Sequence, residues 1–106
     1  MFLRIKPHIT LLAVILFSGC AYYNTFYNAQ EYYSEAEKLR LEKDGESIPI
    51  SAMDKYGKTI VKCQKVIEQF SESSYVDQAF LLMGKSRYYR SDYEMAINNL
   101  NVVMNQ

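Results

Sequence analysis

The sequence predicts an all-α chain of paired antiparallel helices. Three observations carry that expectation. Apolar residues recur at steps of three and four in four separate stretches. Short polar breaks divide the stretches after the first, and each break is followed by a capping-type start signal. Alternating apolar and polar residues, the mark of a strand, extend no further than the Ile48/Ile50 pair.

The first stretch begins with Arg4 and Lys6, has no acidic residue before Cys20, and continues through an apolar run from Ile9 to Phe17. Ser18 and Gly19 follow, then Cys20. A basic start, an apolar run and a small-residue site read as a secretory signal. The run is too short for a membrane-spanning helix, which needs about 20 apolar residues. Ser18-Gly19-Cys20 resembles the bacterial lipobox, with Phe17 where Leu is usual three places before the cysteine. The resemblance implies that residues 1–19 are removed, that Cys20 carries covalent lipid, and that 20–22 form the lipidated N-terminus. Ala21 in place of Asp implies the outer membrane rather than retention at the inner one. Removal of 1–19 takes two of the 12 basic residues, leaving ten against 12 acidic ones.

Tyr22, Phe26, Ala29, Tyr33 and Ala36 form one face of a first helix, expected from about Tyr23 to Glu42. Tyr23 and Tyr27 fall off that face and are free to meet a membrane or a partner. Glu35 is placed to pair with Lys38. The segment 43–51, with Gly45 and Pro49, reads as a loop. The second helix carries Met53, Tyr56, Ile60, Cys63, Ile67 and Phe70 on one side and a row of Lys55, Lys58, Lys62 and Lys65 on the other. The row reads as a solvated face or as a contact for anionic headgroups or an acidic partner. Ser51 with Asp54, Ser74 with Asp77, and Ser91 with Glu94 are the three start signals. The third helix runs from Val76 to about Tyr89, and the fourth contains Tyr93, Ala96, Ile97, Leu100, Val103 and Met104.

Phe80-x2-Met83-Gly84, then Tyr93-x2-Ala96 and Leu100 four places on, resembles the tetratricopeptide repeat. Arg87 and Leu100 stand where the repeat usually has aromatics. Small Gly84 against small Ala96 allows close helix approach, with Phe80, Met83, Tyr93 and Leu100 filling the gaps. An earlier partial copy aligns Tyr56, Thr59, Ile60, Cys63 and Val66 with Tyr93, Ala96, Ile97, Leu100 and Val103 at one offset of 37 residues. Residues 23–73 are thus read as a partial first copy with 43–51 inserted, and 74–106 as a second copy cut short. The helical pattern is still running at Gln106, so the chain is expected to be an N-terminal piece of a longer protein.

A lipidated chain of such repeats resembles the outer-membrane assembly lipoproteins of the BamD/ComL type. The resemblance implies an α-solenoid scaffold on the periplasmic side of the outer membrane. It would bind other envelope proteins and have a part in outer-membrane protein assembly. Lys85, Arg87, Tyr88 and Arg90 are then the candidate peptide contacts. The competing expectation is a structural envelope lipoprotein that tethers or spaces cell-wall layers. Catalysis is not expected: the sole histidine, His8, lies in the signal, and no phosphate loop or cofactor fingerprint occurs. Cys63 sits on an apolar stripe as a buried thiol. Charge balance and the absence of aromatics among the lysines give no expectation of nucleic acid. No metal, no cofactor besides the lipid, and no small-molecule substrate are expected.

Overall fold

The computed structural model describes the backbone of residues 7–105 and the side chains of 23–105. Cys20 and Tyr22 therefore lie outside the described side chains. The described residues form four α-helices and no strand: α1 (Pro7–Glu42), α2 (Ile50–Gln69), α3 (Val76–Tyr89) and α4 (Tyr93–Met104). No helix among them is long and apolar enough to cross a membrane.

α1 starts well before the expected Tyr23. Pro7 occupies its first position, where a proline's fixed φ suits a helix and its missing N–H costs nothing. No second proline follows until residue 49, so the hydrogen-bond ladder has no forced break. The helix ends in i to i−3 bonds from Lys43 and Asp44 to Arg40 and Leu41, and Gly45 then turns the chain at φ +84°. Pro49 leads into α2 in an extended conformation, with Met53 N–H donating to its carbonyl.

The start signals mark the breaks but not the caps. No helix from α2 to α4 has a side-chain cap. Ser91 has a different task. It sits at φ +65°, while its own N–H bonds to Tyr88 and the N–H of Asp92 reaches back to Arg87. That is a Schellman ending for α3, with serine at the left-handed position where glycine is usual. A residue closing α3 in this way is not in position to cap α4, which begins after Asp92.

Neighbouring helices are antiparallel. Along α2, Tyr56 meets Glu37 and Arg40 of α1, whereas Cys63 and Val66 share a core with Phe26 and Ala29. On the α3 side, Tyr56 stacks on Tyr89, while Ala79 and Met83 join Cys63 and Val66. Each helix packs on the next, α1 touches α3 lightly, and among the described residues α1 and α4 do not touch. The layer is therefore open rather than closed into a four-helix bundle.

α2 is covered from both sides, by α1 and by α3. Its buried line is Ala52, Tyr56, Thr59, Cys63 and Val66, one step around from the expected stripe. Met53, Ile60, Ile67 and Phe70 are half-buried at the margins. Thr59 is buried without penalty because its hydroxyl donates to the Lys55 carbonyl at 3.0 Å, and Ser86 on α3 does the same to Leu82 at 2.9 Å. The buried residues form two cores, an upper one around Ala36, Ala52 and Tyr56 and a lower one around Phe26, Ala29, Cys63 and Val66; Ile48 packs on the upper core and Ile50 is exposed.

α3 and α4 meet at the expected small residues. A Cβ placed on Gly84 would lie 2.7 Å from Leu100 Cδ2 and 3.4 Å from the Ala96 carbonyl oxygen. Ala96 is buried and Leu100 half-buried. Met83 is buried and Phe80 packs on the lower core.

Candidate functional site

Three surfaces hold the residues that could meet a partner. The first is the outer face of α4. Tyr93 is 55% exposed, Ile97 58% and Met104 78%, with Leu100 and Val103 half-buried beside them. Tyr93 was expected to fill space between helices; instead it stands outward, touching Tyr88 edge-on with ring centroids 5.6 Å apart. The cause is local. On α2 the equivalent face is covered by α3, and among the described residues nothing covers α4 in the same way.

The second is a cleft of about 250 Å³ where the loop after α1 meets the α3–α4 turn. Arg40, Glu46, Ile48, Tyr88, Tyr89 and Tyr93 help to line it. Its inner wall is a polar-aromatic cluster that joins three helices. Arg40 donates to Glu37 at 2.6 Å and to the Tyr56 hydroxyl at 3.0 Å, and that hydroxyl donates to the other Glu37 oxygen at 2.5 Å. The Arg40 guanidinium lies over the Tyr89 ring at 4.1 Å, and Tyr89 stacks on Tyr56 at 5.1 Å. Burial pushes the Glu37 carboxyl upward, but the hydrogen bonds from Arg40 and Tyr56 outweigh it and leave it below its ordinary value. Burial, then the bond to Glu37, raises the Tyr56 phenol. The bond to Glu37 raises Arg40 against the opposing effect of burial. These bonds and ring contacts clamp α1, α2 and α3 together.

The third surface is an open groove of about 460 Å³ across the outer side of α2. Lys58, Lys62 and Val61 come from α2, Tyr32 from α1 and Arg90 from the end of α3. Arg90 reaches over α2 at position 57, where glycine lets it lie close: a Cβ there would be 3.0 Å from the arginine Nη1. That Nη1 donates to the Met53 carbonyl at 2.6 Å. Lys55 pairs with Glu35 at 2.7 Å, so Glu35 bridges α1 to α2 instead of pairing with Lys38 along its own helix.

The four candidate peptide contacts are not gathered on one face. Lys85, Tyr88 and Arg90 are exposed, but Tyr88 lines the cleft and Arg90 the groove. Arg87 corrects its expected role, since it is only 6% exposed and turned inward. It sits in α3 between two residues of opposite fate, with buried Ser86 before it and exposed Tyr88 after it.

Cys63 is buried in the lower core, where burial pushes its thiol up to about 12. A thiol so held stays protonated at neutral pH. Among the described residues no cluster of His, Cys, Asp and Glu side chains is arranged to hold a metal ion.

No local pattern in the sequence announces the clamp around Tyr56. Glu37 and Arg40, three apart on one helix, were the available signal; their partner on α2 lies beyond any local pattern. No family model, no curated protein and no solved structure matches the chain.

Proposed function

We propose that this chain is a lipid-anchored scaffold of the bacterial envelope that binds other proteins through stacked helix pairs. Cys20 carries the lipid, the outer membrane holds it, and the helices face the periplasm. Its work is binding. Within that class, assembly of outer-membrane proteins is the role to which the tetratricopeptide-like pattern points.

The observation that supports this reading most is the outer face of α4. Tyr93 and Ile97 repeat Tyr56 and Ile60 of α2, and on α2 that face is filled by α3. The surface is therefore of a kind that this chain itself covers with an amphipathic helix. A partner helix carrying apolar and aromatic residues, as α3 does with Ala79, Met83 and Tyr89, fits it. Exposed apolar surface of this sort marks an interaction site.

Two measurements test the reading. Cys20→Ser expressed in a bacterium should lose acylation and leave the membrane fraction; an unmodified cysteine in the mature wild-type protein contradicts the anchor. Extraction in mild detergent should bring down a defined protein with the wild type and lose it with Ile97→Asp. Recovery of cell-wall fragments alone favours a tether instead.

A further inference from the structure

We propose that the groove across α2 binds an acidic segment of a partner protein, with Lys58, Lys62 and Arg90 taking its carboxylates. The three cations arrive from two helices, and the structure builds their convergence. Gly57 lets the Arg90 guanidinium lie close over α2, and the Met53 carbonyl holds it by Nη1 while the side chain as a whole stays exposed. Lys58 and Lys62 are one helical turn apart, about 6 Å along the axis. None of the three has a carboxylate partner within ion-pair distance among the described residues, whereas Lys55 and Arg40 do. Val61, 62% exposed, and the Tyr32 ring give the groove an apolar floor between the charges. A guanidinium and two ammonium groups around such a floor suit a peptide with carboxylates on one side and carbon on the other.

A bilayer of anionic headgroups fits less well. Asp54 stands inside the groove and Glu35 beside it, so a flat negative surface would meet acids together with bases. Without residues 1–19 the chain carries ten basic against 12 acidic residues and has no net attraction to such a surface. A peptide can set its carboxylates at the three cations and turn a backbone N–H to Asp54. The site lies on α2, away from the apolar face of α4, so the two binding readings stand or fall separately.

The test is fluorescence anisotropy on the full chain in a neutral detergent. The probe is a labelled peptide in which Glu alternates with Ala; its twin has Gln for every Glu. The Glu peptide should bind, the Gln twin should not, and binding should weaken steeply with added salt. The double variant Lys58→Gln/Lys62→Gln should weaken binding by about tenfold or more, as should Arg90→Gln, while Lys38→Gln on α1 leaves it unchanged. Lys58 is exposed and Lys62 half-buried, so unchanged thermal melts of the double variant will show that the fold is intact. Equal binding of the two peptides, or binding indifferent to the lysine pair, overturns the proposal. So does displacement of the peptide when phosphatidylglycerol is added to the micelles, which would assign the cations to headgroups.

Discussion

Tyr56 is completely buried between α1 and α3, and Tyr93, 37 residues later at the matching place on α4, stands more than half exposed. One pattern thus occurs twice, once covered and once bare. The same contrast holds one turn on, where Ile60 packs on the lower core and Ile97 faces outward. Ile60→Asp should cost about 2 kcal/mol or more, because a carboxylate would enter a packed margin without a partner. Ile97→Asp should fall within about 0.5 kcal/mol of wild type, as surface changes do. Urea titrations of the two variants read the difference directly. Equal losses would mean that α4 is covered after all.

Gly84 is a packing glycine. Gly84→Leu should destabilise the chain by about 1–3 kcal/mol through overpacking, since even one added carbon would come within 2.7 Å of Leu100. Leu100→Ala in the same background should recover part of the loss by opening the space. An unchanged melting temperature for Gly84→Leu would argue against the close approach of α3 and α4.

Ser91 pays a conformational cost that glycine would not. Its left-handed φ is disfavoured for a residue with a Cβ, and its role in closing α3 is carried by backbone groups. Ser91→Gly should therefore stabilise by up to about 1 kcal/mol, part of the gain being offset by greater freedom in the unfolded chain. Thermal melts of wild type and variant at one pH measure it.

The clamp sets a pH window. Glu37 is held below the ordinary glutamate value of 4.5, so its contribution to stability is full above that value and is lost as pH falls through the lower, folded one. Tyr56 is held above the phenol value of 10.0, so its contribution is full below that pH and is lost as pH rises beyond it. Melting temperature should therefore fall at both ends. Glu37→Gln should flatten the acid limb and Tyr56→Phe the alkaline limb, each at some cost at neutral pH. Limbs unchanged in both variants would place the titrating groups elsewhere.

Local patterns announced the helices and their breaks, because a 3.6-residue period and polar punctuation are properties of short stretches. The Gly84–Ala96 contact was equally legible, since two small residues on consecutive helices leave few other purposes. What escaped depends on distant segments. The buried line of α2 passes through Ala52 and the polar Thr59 rather than Met53 and Ile60, because two helices press on it from either side. Arg87 lies on a face that only the packing of α2 and α4 against α3 could define. Ser91 carries the signature of a helix start and serves a helix end, a choice made by backbone bonds to Arg87 and Tyr88. The Tyr56 clamp and the Arg90 groove each need residues from separate helices, and no spacing in the chain relates them.

The most direct test of the scaffold reading is site-specific photocrosslinking in the cell. A benzoylphenylalanine at Ile97 should give discrete adducts of defined mass, and the same group at exposed Glu42 on α1 should give none. Adducts from Ile97 that vanish when Tyr93 and Met104 are changed to Asp would place the partner on the apolar face of α4. No adduct at Ile97, or the same adducts from Ile97 and Glu42, would contradict a docking role for that face.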